Sequence, residues 1–206
     1  MKSKKKVLVT VLCAVMLVVG SVLGTMAYLT SKTATANNTF TVGNVAITLD
    51  EADVDENGTV LKDDNDNPLT RVKANTYKLM PGHTYVKDPT IHVSATSEDC
   101  WLFVKVENGI SAIEDNTTIA EQMAAKGWTL VAGQTDVYAY SDVVAGGTNV
   151  VVFDNFKIKG DAVTSNYANA SIKVTGYAVQ ADGFTTAADA WKATFGAPTT
   201  STGTTE

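Results

Sequence analysis

Between residues 40 and 180 the chain breaks into short apolar runs separated by turn residues, with no long helical periodicity between them. Phe40, Val42, Val45, Ile47 and Leu49 fall at near-alternate spacing, with Gly43 marking a bulge or kink. Further strand-like segments cover residues 71–80, 90–96, 101–107, 128–132, 137–141, 149–153 and 171–180. Pro81-Gly82, Asn108-Gly109, Gly146-Gly147 and Lys159-Gly160-Asp161 punctuate them, and Asn57-Gly58 between Val54 and Val60 is a hairpin signal. Residues 63–68 read as a polar loop. This pattern predicts a mainly-β fold, an antiparallel β-sandwich or barrel. Two short peripheral helices decorate it. Thr118 with Glu121 forms a capping box opening 119–126, closed by Gly127, and Thr186 with Asp189 opens a second helix. In that second helix Ala190, Trp191 and Phe195 are expected to pack on a sheet. No internal repeat is evident.

The first residues have a different character. Lys2, Lys4, Lys5 and Lys6 precede an apolar run from Val7 to Val19, and Thr25-Met26-Ala27 places small residues at the positions a signal peptidase reads. Residues 1–27 therefore read as a signal peptide, a helix cut near Ala27 and Tyr28, so that the chain meets the membrane only before cleavage. The competing reading is a retained anchor. Residues 7–23 supply 17 positions, against the roughly 20 that span a bilayer.

Export sets the charge and redox terms. Removing residues 1–27 takes four lysines, lowering the basic count from 16 to 12 against 22 acidic residues, a formal charge of −10. Such a chain gains no counterion-release or steering energy from nucleic acid or anionic lipid, and suits cations or basic partners instead. With Cys13 in the leader, only Cys100 remains, which excludes an internal disulfide. Cys100 reads as a small buried side chain, with a reactive thiol or a disulfide-linked dimer as alternatives.

Catalytic groups are sparse. His83 and His92 belong to no H-E-x-x-H pair, and there is no G-x-S-x-G elbow or phosphate-cradling glycine loop. Asp53, Asp55, Asn57, Gly58 and Asp64 fit positions 1, 3, 5, 6 and 12 of a calcium loop, with the Thr59 carbonyl at position 7. Asp64 stands where a bidentate Glu is usual, and the flanks read as strands. A metal-free hairpin at Asn57-Gly58 accounts for the same residues, so Asp53, Asp55, Asn57 and Asp64 form a calcium candidate beside that simpler reading. Residues 28–40 are Thr- and Asn-rich and β-compatible. They either lie on their own domain, the 41–196 sandwich, or add as a strand to a neighbour's open sheet edge. The Thr/Ser-rich tail, 197–206, has nothing to bury and is expected to be disordered.

The junction Gly24-Thr25-Met26-Ala27-Tyr28-Leu29-Thr30, with Asn38-Thr39-Phe40-Thr41-Val42-Gly43-Asn44, closely resembles the TasA/camelysin family of bacterial exported proteins. The likeness continues at Tyr77-Lys78-Leu79-Met80-Pro81-Gly82-His83, at Lys87-Asp88-Pro89-Thr90 and at Cys100-Trp101-Leu102-Phe103-Val104-Lys105-Val106, and ends at residues 177–184. The resemblance implies cleavage by a SipW-type peptidase, after Tyr28 by family position or after Ala27 by the small-residue rule. It also implies a jelly-roll-like sandwich, and self-association into extracellular fibres by donor-strand addition. The donor would be residues 28–40, with Tyr28, Leu29 and Phe40 at the subunit interface. Camelysin-type relatives have been described as metallopeptidases, but no zinc motif supports that here. The expectation is a secreted, noncatalytic structural protein of the cell surface or biofilm matrix. The alternatives are a monomeric secreted calcium- or envelope-binding module and a surface metallopeptidase.

Overall fold

Residues 100–108 carry apolar side chains on both faces, a demand that only a central position in a layered fold can meet. Cys100, Trp101, Leu102, Phe103 and Val104 are all buried. The structure, a computed structural model, describes residues 44–115 and 117–196, all within the compact unit Val42–Glu206. Its strands are β1 (Ile47–Asp50), β2 (Thr84–Val86), β3 (Thr90–Val93), β4 (Cys100–Asn108), β5 (Trp128–Leu130), β6 (Val137–Tyr140), β7 (Asn149–Val151), β8 (Asn155–Lys157) and β9 (Ile172–Gln180). Two helices, α1 (Ile119–Ala125) and α2 (Ala187–Phe195), accompany them.

The fold is mainly β and every strand pair is antiparallel. One sheet runs β5-β6-β4-β9, a second β1-β3-β7, and β2 pairs with β8. The pairs nest concentrically: β4 with β6, β3 with β7, β2 with β8. That is the pattern of a long hairpin rolled on itself, as in a jelly roll. Leu102, Val104 and Val106 of β4 join Ile91, Trp128, Phe153 and Phe156 in the core between the layers. A Cβ on Gly176 would stand 3.4 Å from Ile47 Cδ1 and 3.5 Å from Ile91 Cδ1, so β1 and β3 lie across from β9. On the outer face of β4, Trp101 and Phe103 are covered by α2, whose Trp191 ring centres 5.1 Å from Phe103.

Both helices begin as expected. Thr118 Oγ1 accepts from the Glu121 N–H and Glu121 Oε2 accepts from the Thr118 N–H, while Thr186 Oγ1 accepts from the Asp189 N–H.

Three expectations change. Residues 71–80 form no strand; Val72 bridges to Glu51, the Lys78 N–H donates to the Glu56 carbonyl, and side chains take much of the remaining hydrogen bonding. Asn75 Oδ1 accepts from the Val54 N–H and its Nδ2 donates to the Ala52 carbonyl. The Tyr85 hydroxyl accepts from the Met80 N–H and donates to the Lys78 carbonyl. Second, β2 and β8, three residues each, are too short for alternation to reveal. Third, the acidic segment holds a tandem repeat. Asp55 and Asp63 head equivalent turns eight residues apart: the carbonyl of each accepts the N–H three residues on, of Gly58 or Asp66. Each Oδ1 accepts from the N–H groups two and four residues on. Gly58 (φ 76°) and Asp66 (φ 65°) hold the matching left-handed position. Asp55/Asp63, Asn57/Asn65 and Leu61/Leu69 are the matching identities, a signal that sequence reading passed over.

Candidate functional site

An edge strand presents unpaired main-chain groups, so a sandwich with two neighbouring free edges has a ready acceptor for another strand. Here β9 ends one sheet and β1 ends the other, on the same side of the sandwich. Among the described residues β9 pairs only with β4. β1 pairs only with β3 until Val72 closes its outer edge at Glu51. The Gly109 N–H to Ser171 carbonyl and Ala181 N–H to Asp99 carbonyl bonds set the alternation along β9. Odd-numbered residues therefore address β4, and the main-chain groups of Ile172, Val174, Gly176 and Ala178 point outward.

The side chains of this seam are incompletely covered. Ile47, Leu49, Ile172, Val174 and Ala178 pack against the core yet remain partly accessible. A cleft of about 340 Å³ lies between Leu49, Pro89, Ile172 and Val174. A larger one, about 560 Å³, continues past Tyr77, Leu79, Ile110, Phe156 and Tyr167. Asn75, Lys87, Ser171 and Ile172 line both.

Two polar clusters flank the seam. In the first, Glu51 (4 % exposed) and Lys87 (8 % exposed) form a buried ion pair, Nζ to Oε2 at 2.5 Å. Asn75 Nδ2 donates to the other carboxylate oxygen, Oε1, at 3.0 Å. Lys87 Nζ lies 5.8 Å from the centre of the Tyr77 ring, and the Tyr77 hydroxyl donates to the Val86 carbonyl. Burial, then the nearby Glu51 charge, push the Tyr77 phenol well above its ordinary range. In the second cluster, Arg71 Nη1 donates to Asp88 Oδ2 at 2.8 Å and Nε to Asp50. His92 Nε2 lies 2.8 Å from the same Asp50 oxygen and Nδ1 2.8 Å from Asn149 Oδ1. Partial burial works against the Asp50 carboxylate, but the hydrogen bonds and charges of Arg71 and His92 hold its pKa below the ordinary value.

The calcium candidates separate in space by turn. Asp53, Asp55 and Asn57 belong to the first hairpin and Asp64 to the second, where Asp63 is the structural counterpart of Asp55. Among the described residues no group of three or more His, Cys, Asp or Glu converges on a point where an ion would sit. His83 Nε2 lies 2.8 Å from the Asn57 carbonyl, with its ring against Tyr85 at 4.6 Å, which fastens the hairpin to β2. Cys100 is a fully buried free thiol, pushed up to about 11 by burial and then by Asp99. Ala27 and Tyr28, expected at a cleavage site, Tyr28, Leu29 and Phe40, expected at a subunit interface, the expected signal peptide and the tail 197–206 lie outside the described residues. No described helix is long and apolar enough to cross a membrane.

Sequence reasoning did not single out Glu51, Asn75 and Lys87 as a group. Lys87 and Glu51 lie 36 residues apart, and a charged residue after a three-residue strand gives no sign of being buried. Comparison with protein-family models, with curated proteins and with solved structures finds no match to this chain.

Proposed function

We propose that this protein is a secreted, noncatalytic structural component of the cell surface or biofilm matrix that self-associates by strand addition. Residues 28–40 of one copy lie along the outer edge of β9 in the next, with Tyr28, Leu29 and Phe40 supplying the apolar contacts. The observation that carries this reading is the outer edge of β9. Nine residues long, it is unpaired among the described residues and is backed by half-covered Ile172 and Val174. Main-chain hydrogen bonds would give such an addition its affinity, and the apolar clefts its register. The export-type leader and the resemblance to fibre-forming exported proteins point the same way.

Proline at an outward-facing edge position deletes one donor without touching the β4 ladder. The expectation is that the exported protein forms filaments visible by negative-stain electron microscopy as concentration rises. Ala178→Pro should stay monomeric by size-exclusion chromatography while keeping its circular dichroism spectrum. Wild type that remains monomeric throughout, or a proline variant that assembles equally well, removes the proposal.

A further inference from the structure

Three features of the Glu51 cluster are unusual together. A buried lysine amine and a half-buried asparagine amide sit on opposite oxygens of one buried carboxylate. Lys87 Nζ is 2.5 Å from Glu51 Oε2, and Asn75 Nδ2 is 3.0 Å from Glu51 Oε1. Stranding an ion pair in an apolar layer is costly, because desolvation offsets much of the Coulomb attraction. Here the surroundings include the Tyr77 ring and the buried Phe156 that packs on it at 5.2 Å. Finally, the region is held by few main-chain bonds, since 71–80 lacks a strand ladder, and the single described cysteine allows no disulfide.

We propose that Lys87 and Asn75 are joined by an intramolecular isopeptide bond whose formation Glu51 catalyses. Lys87 Nζ transfers a proton to Glu51 Oε2, which removes both charges from the low-dielectric site. The neutral amine then attacks Asn75 Cγ, the two groups being held on the two oxygens of the same carboxylate. As the new Nζ–Cγ bond forms, the Cγ–Nδ2 bond breaks. The carboxyl, whose Oε1 already faces Nδ2, delivers the proton to that leaving nitrogen. Nζ keeps one hydrogen and gives up two, so the balanced change is ammonium plus amide giving an isopeptide and one ammonium ion, with no oxidant or cofactor. Glu51 ends as it began. Proximity supplies the rate, because nucleophile, shuttle and leaving group are held by one fold.

The bond would tie the irregular 71–80 segment to the end of β2, in the lining of both clefts, the place a disulfide would occupy in a cysteine-rich exported protein. The inference is independent of filament formation, since it concerns one folded copy.

Mass spectrometry tests it. The purified protein, denatured, should weigh less than its sequence by one ammonia, about 17 Da. A tryptic digest should contain residues 74–78 joined to residues 79–105 as one branched peptide, uncut at Lys87. Glu51→Gln should restore the full mass and yield residues 74–78, 79–87 and 88–105 as separate peptides. Wild-type protein at full mass, with residues 74–78 free and cleavage after Lys87, overturns the proposal. Complete cross-linking in Glu51→Gln would overturn the part given to Glu51.

Discussion

At Gly58 two separate requirements fall on one residue. Its φ is 76°, and a Cβ there would lie 2.6 Å from Tyr85 Cα, a backbone atom that cannot turn aside. Gly183 has a similar φ, 90°, with nothing within 4 Å. Gly183→Ala therefore isolates left-handed strain, about 1–2 kcal/mol. Gly58→Ala adds a backbone collision and should cost at least about 3 kcal/mol. Urea unfolding of the two variants checks this, and equal losses would mean that Tyr85 yields freely. The turn at Asn57-Gly58 was legible from sequence, but Tyr85 pressing on it was not, because that contact spans 27 residues. Two carboxyl groups carry opposite pH signatures. Burial raises the pKa of Glu114, against the bonds it accepts from the Ile119 N–H and Asn108 Nδ2. Its contribution is thus full below the ordinary glutamate pKa and lost as pH rises through the raised, folded value. Asp50, held low by Arg71 and His92 against some desolvation, contributes fully above the ordinary aspartate range and loses that contribution as pH falls through its lowered value. In denaturation series across pH, Glu114→Gln should flatten the first loss and Asp50→Asn the second.

The elements divide according to whether their determinants are local. Both helix starts were legible because a cap and its partner lie three residues apart in sequence, at Thr118-Glu121 and Thr186-Asp189. Residues 71–80 were not. Their alternation suits a strand, yet Asn75 and Tyr85 side chains take over the hydrogen bonding, and nothing in the spacing announces a side chain acting as a ladder partner. The outer cover of β4 lies between these cases. Trp191 and Phe195 were both expected on a sheet and both rings meet Tyr177 of β9, at 5.9 and 5.5 Å, but Trp191 is 9 % exposed and Phe195 44 %. Trp191→Ala should lose about 3–5 kcal/mol, because it uncovers Phe103 and leaves a cavity. Phe195→Ala, at the exposed last residue of the helix, should lose under about 1 kcal/mol. Equal thermal shifts in the two variants would show that α2 adds little to the sheet it covers. The layer is not fully satisfied: among the described residues the indole N–H groups of Trp101 and Trp191 have no acceptor. An unpaired buried donor costs about 1–3 kcal/mol, so α2 is held by apolar contact rather than by hydrogen bonds.

For the whole molecule, charge and topology pull in opposite directions. A chain of charge −10 after loss of residues 1–27, from 12 basic and 22 acidic residues, repels its own copies. The proposed strand addition across the seam would therefore rest on main-chain bonds and apolar contacts, with salt helping by screening. The Debye length shrinks from about 30 Å at ~0.01 M to about 8 Å at ~0.15 M, so assembly should accelerate over that range. Electrostatically driven association would instead slow. The same reasoning yields a test free of polymerisation. A chain starting at Thr41 keeps every described strand and lacks the donor, so it should be monomeric with an empty seam. Adding a synthetic peptide of residues 28–40 should then restore the missing edge in trans. Binding to the folded form alone stabilises it by about 2.7 kcal/mol when free peptide reaches ~100 times its Kd, a rise that thermal unfolding resolves readily. Ala178→Pro in the shortened chain should abolish the rise by removing an outward N–H from β9. A peptide that leaves the unfolding temperature unchanged at millimolar concentration would mean that this seam does not take residues 28–40, and would remove the donor-strand reading.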